Sequence, residues 1–202
     1  MKKVNKLLKS LPNIKFICWD LDGTLFDTEV MWYNMDKLVA EKYGSVSKGK
    51  VGKASEEIAA NAYKSLGYRA NADKALNYFK DNGLSQVVVN KCELTNKTML
   101  KNEEVNKTFP FEKFDLIASE TFFECKFTDE ELYNKALDLV KVSDKSTVVA
   151  ICDMPFELKA AKNVGISTIW AKNKNYPFTN DELKEIKEVA DYYVEDFTDL
   201  IG

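Results

Sequence analysis

Two aspartates separated by one residue stand where an apolar run of the sequence ends. In the stretch ICWDLDGTLFDTE, residues 17–29, Asp20 and Asp22 follow that run and Gly23 comes next. Carboxylates held close together repel one another, so this arrangement is costly unless something uses their charge. A hard cation such as Mg²⁺, which prefers oxygen ligands, would offset the repulsion.

Short apolar runs alternate with longer amphipathic stretches along the chain. The strands and helices that these patterns predict would hold the two acids in place. The runs predict strands at residues 16–19, 86–89, 114–118, 147–151, 167–170 and, more weakly, 191–194. The amphipathic stretches predict helices at residues 129–142, 155–163 and 181–189. Strands that alternate with helices imply right-handed crossovers and a parallel sheet. The predicted fold class is therefore α/β, with a Rossmann-like, doubly wound parallel sheet.

The interval between the first two predicted strands is too long for a single crossover helix. It has helical patterning of its own, at residues 29–43, 55–65 and 73–80, and each stretch ends near a glycine. We therefore predict a small helical cap domain at residues 27–84. Residues 1–26 and 85–202 then form the Rossmann-like core.

Polar residues follow four of the predicted strands. They are Asp20 and Asp22 after the first, Asn90 and Lys91 after the second, Ser119 after the third and Asp153 after the fourth. Ligands of parallel α/β sheets bind outside the carboxyl ends of the strands, so these side chains are expected at one edge. Three carboxylates gathered there require a cation among them.

Composition excludes several classes of function. The chain of 202 residues has a net charge of −3 with lysines and acids interspersed, which argues against nucleic acid or an anionic membrane as partner. It has no histidine, so Ser-His-Asp and Cys-His catalysis are excluded. The four cysteines lack the spacing of a zinc site. No stretch has the length and apolarity of a membrane span, and we expect a cytoplasmic protein.

Three motifs resemble those of the haloacid dehalogenase (HAD) superfamily, in its phosphatase form with a helical cap after the first motif. DLDGTLFDTE, residues 20–29, resembles the first motif, and Lys126 before the predicted helix 129–142 resembles the lysine motif. Residues 148–171, VVAICDMPFELKAAKNVGISTIWA, resemble the acidic motif with the helix and strand that follow it. The motifs occur in the family's order and cover nearly the whole predicted core.

This resemblance implies a Mg²⁺-dependent phosphomonoester hydrolase that acts on a small phosphorylated metabolite. Asp20 would be the nucleophile and would form an aspartyl-phosphate. Asp22 would protonate the leaving oxygen and then activate water, and an acid at this position favours phosphate chemistry over dehalogenation. Lys126 would pair with Asp20 and with the transferring phosphoryl group.

The resemblance also implies the ligands of the cation. Mg²⁺ would be held by a carboxylate oxygen of Asp20, the backbone carbonyl of Asp22 and the side chain of Asp153. Glu157 stands where the family has a second acid, and it would act on the metal through water.

The expected substrate contacts include departures from the family pattern. Gly23 would allow the backbone to approach phosphate, and Thr24 would support that loop. The family ends its second motif with Ser or Thr, whereas this chain has Val89 or Asn90 there, depending on a one-residue shift. Only Asn90 could donate a hydrogen bond to phosphate.

Substrate contacts are also expected from the cap. Lys53 is a candidate for reaching an anionic substrate, with a solvated loop lysine as the alternative. Trp32 is a candidate for lining the pocket, with packing between cap and core as its alternative. The departures from the family's second and acidic motifs allow a second interpretation of the whole chain. In this interpretation it is a catalytically weak HAD-fold protein that binds a phosphorylated ligand or a protein partner.

Overall fold

A seven-stranded parallel sheet forms the centre of the protein. The computed structural model describes residues 1–44, 54–55, 57–62, 68–91 and 111–202. The strands are β1 (Lys2–Lys3), β2 (Phe16–Trp19), β3 (Ser85–Val89), β4 (Leu116–Ala118), β5 (Val148–Cys152), β6 (Ser167–Ala171) and β7 (Tyr192–Val194). Their order in the sheet is β1-β7-β6-β5-β2-β3-β4. The predicted α/β class with a parallel, Rossmann-like sheet is confirmed.

Eight α-helices accompany the strands in the part of the chain that the structure describes. They are α1 (Leu7–Ser10), α2 (Glu29–Tyr33), α3 (Met35–Tyr43), α4 (Ala72–Asp81), α5 (Glu120–Phe123), α6 (Asp129–Leu139), α7 (Pro155–Asn163) and α8 (Asn180–Val189). Residues 57–62 are also helical. Capping boxes at Thr128 and Thr179 begin α6 and α8, because each hydroxyl accepts from a backbone N–H that would otherwise lack a partner. None of the described helices combines the length and the apolarity needed to cross a bilayer.

The side of the sheet to which the chain adds strands changes between β2 and β5. From β2 the chain builds outward through β3 and β4 on one side, and later returns to place β5, β6 and β7 on the other. The β2–β5 register pairs Trp19 with Ile151, so both strands end at the same level. Such a switch point opens a crevice at the carboxyl ends of the two strands, where ligands of this fold class bind.

Helix α4 lies within the range predicted as cap, yet its apolar face packs on the sheet. The rings of Phe79 and Trp19 have centroids 6.2 Å apart. The side chain of Gln86 joins them by accepting from Trp19 Nε1 at 3.0 Å and donating to the carbonyl of Leu76 at 3.0 Å. Because α4 covers β2 and β3, its apolar residues belong to the core of the sheet. The division into core and cap otherwise stays a prediction.

Candidate active site

Asp20 is the first residue after β2 and is fixed by the neighbouring strand. Its backbone N–H donates to the carbonyl of Ile151 at 3.1 Å, and the residue is 1% exposed. Asp153 follows β5, two residues after Ile151, and is 0% exposed. The parallel register of β2 and β5 therefore brings together two carboxylates that are distant in sequence.

A third acid completes this group. Carboxylate oxygens of Asp20, Asp153 and Glu157 lie within 4.8 Å of one another. Glu157 is half-buried on the first turn of α7. The structure thus brings the side chains of three predicted metal residues together, and whether Glu157 acts directly or through water stays a prediction.

The environment of Asp153 disfavours its charged form. Burial raises the pKa of this carboxyl well above its ordinary value, and the nearby carboxylate of Asp20 raises that pKa further, whereas Arg69 opposes the change. A side-chain hydrogen bond from Asn173 also opposes the change. A buried acid cluster of this kind fits a divalent cation with oxygen ligands, since the cation would satisfy these oxygens and offset their repulsion.

Gly23 lies directly against Asp153. Its φ of +76° is in the left-handed region, and a Cβ at this position would be 2.1 Å from Oδ2 of Asp153. Any larger residue would therefore clash with the acid cluster as well as strain the backbone. The predicted close approach of backbone at Gly23 is thus an approach to the acids. Thr24, the next residue, is fully buried.

Arg69 is a residue of this region that sequence reasoning missed. Its guanidinium donates to the carbonyls of Gly23 at 2.5 Å, Ala171 at 3.2 Å and Lys172 at 2.9 Å. Its backbone N–H donates to the carbonyl of Leu25 at 2.8 Å. Arg69 therefore ties the loop after β2 to the end of β6, although it lies within the range predicted as cap.

One feature of the sequence could have pointed to Arg69 as a site residue. It is the only arginine of the chain, and every other basic residue is a lysine. A planar guanidinium can reach several carbonyls at once, which an ammonium on a flexible stem cannot do with the same geometry. Burial lowers the pKa of Arg69 and the charge of Asp153 opposes this change, so the arginine is a buried cation beside the acids.

Asp22 turns its side chain toward the helix that follows. Its Oδ1 accepts hydrogen bonds from the hydroxyl of Thr28 at 2.6 Å and from Nε1 of Trp32 at 2.8 Å. Thr28 precedes α2 and Trp32 lies within it. The two aspartates of the first motif therefore have different surroundings, Asp20 in the acid cluster and Asp22 in hydrogen bonds to the α2 segment.

A cavity of about 360 Å³ opens onto these residues. Its lining includes Asp20, Asp22 and Glu157 and, at the end of β3, Asn90 and Lys91. A larger concavity of about 550 Å³, at the opposite edge of the sheet around Ser167 and Tyr192, contains none of the predicted site residues. The smaller cavity is the candidate active site because it holds the acids.

At the end of β3, Asn90 and not Val89 is among the described residues that line the cavity. Val89 is the last residue of the strand and pairs with Ala118 of β4. Asn90 is the first residue beyond the strand, is 3% exposed and lines the cavity. Asn90 thus stands at the position expected of a phosphate donor, and the donation itself stays a prediction.

Of the two lysines proposed for the site, Lys126 is not among the described residues that line the cavity. Lys126 has a side chain that is 83% exposed, and its Nζ lies 3.7 Å from Oε2 of Glu120, away from the cavity lining. The buried carboxylate of Glu120 attracts this ammonium locally. Lys91 does line the cavity, with its Nζ 3.6 Å from Oδ1 of Asp129. Lys53 lies outside the described residues.

Comparison with known proteins gave no match by sequence, either to a family model or to a curated protein. Solved structures do resemble the chain. A haloacid dehalogenase-like hydrolase from Streptococcus pneumoniae is 15% identical with a TM-score of 0.65, covering 93% of this chain and 96% of that one. CbbY from Rhodobacter sphaeroides, crystallised with phosphate, is 16% identical with a TM-score of 0.68, covering 91% and 95%.

A third similar structure contains a metal. The HAD-type protein YfnB from Bacillus subtilis, bound to magnesium, is 11% identical with a TM-score of 0.66, covering 92% of this chain and 96% of that one. These likenesses extend over nearly the whole length of both chains. They show that the fold is the one these proteins share.

Proposed function

We propose that this chain, whose fold is that of the haloacid dehalogenase superfamily, hydrolyses phosphomonoesters of small metabolites with Mg²⁺ as cofactor. The observation that carries the proposal is the gathering of Asp20, Asp153 and Glu157 within 4.8 Å at the switch point of the sheet. Asp22 lines the same cavity and supplies the acid that phosphate chemistry needs. Phosphate and magnesium in similar folds, CbbY and YfnB, support the same chemistry.

The metal site follows from the donor set. Carboxylate oxygens of Asp20, Asp153 and Glu157, together with the backbone carbonyl of Asp22, would hold the ion. Hard oxygen donors of this kind suit Mg²⁺. When bound, the cation would neutralise charge, so that an anionic carboxylate can approach an anionic phosphate.

Asp20 is proposed as the nucleophile. One of its carboxylate oxygens attacks phosphorus in line, the bond from phosphorus to the leaving oxygen breaks, and an aspartyl-phosphate remains. Asp20 is only 1% exposed, and its backbone N–H is hydrogen-bonded to the carbonyl of Ile151, so the attacking group is held in one place. Such fixed positioning lowers the entropic part of the barrier.

Asp22 is proposed as the acid and base. It gives a proton to the leaving oxygen as the ester bond breaks, and it then takes a proton from the water that hydrolyses the aspartyl-phosphate. The hydrogen bonds from Thr28 and Trp32 hold its carboxylate in a defined position. The products are the free alcohol, inorganic phosphate and the regenerated Asp20.

Phosphate contacts are proposed for the loop after β2 and for the end of β3. Backbone at Gly23 and the buried Thr24 would shape the side of the pocket next to Asp153. The amide of Asn90 would donate to a phosphate oxygen in place of a Ser or Thr hydroxyl. Lys126 and Lys53 remain the cations that the sequence predicts for the substrate.

A second candidate function is favoured by the position of Lys126. Its Nζ lies 3.7 Å from Glu120, and it is not among the described residues that line the cavity. Removal of one stabilising group of this kind slows catalysis by roughly 10²–10³-fold. The alternative is therefore a catalytically weak protein of the same fold that binds a phosphorylated ligand or a protein partner.

Phosphate release decides between the two candidates. An aryl phosphate and a panel of phosphorylated metabolites are incubated with the wild-type protein and with Asp20→Asn, in the presence and absence of Mg²⁺. We expect Mg²⁺-dependent release by the wild type and none by Asp20→Asn. Asp138→Asn, which alters an exposed aspartate of α6, is the matched control and should behave as wild type. Equal release by the wild type and Asp20→Asn would refute the enzyme proposal.

A further inference from the structure

The candidate active site has an apolar side as well as an acidic one. Trp32, Met154 and Phe156 line the same cavity as Asp20 and Asp22. Phe156 is 53% exposed in the first turn of α7, so packing of the core does not account for it. Apolar side chains on the wall of a ligand cavity gain contacts when an apolar group enters.

Trp32 lies beside the proposed acid, Asp22. Its Nε1 is 2.8 Å from Oδ1 of Asp22, the carboxylate proposed to protonate the leaving oxygen. A group bonded to that oxygen would then lie on the same side of the cavity lining as the indole, since both Asp22 and Trp32 line it. Because the hydrogen bond fixes the indole, Trp32 offers a rigid apolar surface at this point.

Most polar side chains of the described lining have a partner or, like Asp22 and Asn90, a proposed role toward the phosphate end of the substrate. Lys91 and Asp129 form an ion pair with each other at 3.6 Å. Asp20 and Glu157 belong to the acid cluster. A sugar leaving group would require hydrogen bonds for each hydroxyl it buries, whereas a planar apolar group would not. The wall beside Asp22 thus suits an aromatic group better than a polyol.

We propose that the preferred substrate is a phosphomonoester with an aromatic leaving group, whose ring packs against Trp32, Met154 and Phe156. This inference rests on the proposed hydrolysis and names its substrate class. The phosphate end of the substrate occupies the acidic side of the cavity, and the ring occupies the apolar side. Attack by Asp20 and protonation by Asp22 proceed as for any phosphomonoester.

Two substrates with primary alcohols as leaving groups test the preference, because their leaving oxygens have similar basicity. We expect kcat/KM for 2-phenylethyl phosphate to exceed that for glycerol 3-phosphate by about tenfold or more. Phe156→Ala should lower kcat/KM for 2-phenylethyl phosphate by about tenfold and change that for glycerol 3-phosphate by less than about twofold. Phe122→Ala is the matched control, since Phe122 is 54% exposed on α5 and does not line the cavity.

The opposite preference, or an equal effect of Phe156→Ala on both substrates, would overturn the inference. A binding measurement separates this failure from failure of the proposed hydrolysis. The probes are 3-phenylpropylphosphonate and methylphosphonate, which the protein cannot hydrolyse. Calorimetry should show that the wild type binds the aromatic compound more tightly. The Phe156→Ala variant should bind the two compounds with similar affinity. Aromatic preference in binding with no turnover would support the apolar site and refute hydrolysis. Equal binding of the two phosphonates would refute the apolar site.

Discussion

The indole Nε1 of Trp32 donates a hydrogen bond of 2.8 Å to Oδ1 of Asp22, the same oxygen that the Thr28 hydroxyl contacts at 2.6 Å. An indole N–H can only donate, so Oδ1 must remain an acceptor while this bond exists. A proton carried by Asp22 would therefore sit on Oδ2. The first turn of α2 thus decides which oxygen of the proposed acid can handle a proton.

Removal of the Trp32 donor should slow the chemical step. Trp32→Phe keeps an aromatic ring and deletes the N–H, and we expect kcat to fall about tenfold or more because a hydrogen bond to a charged group contributes ~1.5–3 kcal/mol. KM should change little, because the ring surface is largely retained. Steady-state kinetics provides the measurement, with Tyr33→Phe, at an exposed neighbouring position of α2, as the control. An unchanged kcat would show that the bond does not serve Asp22 in catalysis.

The two lysines at the carboxyl edge of the sheet can be compared directly. Lys91 lines the cavity and Lys126 does not, so Lys91→Met should reduce kcat/KM by about 100-fold through loss of a cation near the phosphate. Lys126→Met should stay within about threefold of wild type, since an exposed ion pair contributes little. Both values come from the same phosphate-release assay. The reverse ranking would assign the phosphate contact to Lys126, as the family resemblance implies.

Binding of Mg²⁺ should depend on Asp153. At a concentration 100 times its dissociation constant, the ion should stabilise the wild-type fold by about 2.7 kcal/mol, and Asp153→Asn should show no such gain. In metal-free buffer Asp153→Asn should be more stable than wild type, because it removes a buried charge next to Asp20. Thermal unfolding with and without Mg²⁺ measures both effects.

The control for this experiment is Asp138→Asn, which should gain stability from Mg²⁺ as the wild type does. A gain of wild-type size in Asp153→Asn would exclude Asp153 as a ligand. Because the variant is expected to be the more stable protein without metal, a lost response could not be attributed to misfolding.

Replacement of Arg69 by lysine should destabilise the fold although the charge is kept. Arg69→Lys loses the planar group that donates to three carbonyls, and we expect a reduction of about 2 kcal/mol in the free energy of unfolding. Urea denaturation measures this difference. Lys135→Arg, an exchange of the same two side chains at an exposed position of α6, should have no measurable effect. A neutral Arg69→Lys would mean that the three contacts do not stabilise the native state.

The strands that carry the site were accessible to sequence reasoning. The apolar runs ending at Trp19, Val89 and Ile151 match β2, β3 and β5 to within one residue, because a buried parallel strand is apolar along its whole length. Strand β1 was not predicted, since Lys2–Lys3 has no apolar pattern. Its pairing depends on the edge that β7 offers, which is a feature of the folded sheet.

By itself, the sequence determined that Asp20, Asp22 and Asp153 follow strands of a parallel sheet, and this implied an acid cluster at one edge. The tertiary structure decided which side chains enter the cavity. It turned Lys126 toward Glu120, placed Lys91 on the wall and brought Arg69 back against Gly23. The end of a strand is set by the local apolar pattern, whereas the direction of a side chain depends on partners that only folding brings near.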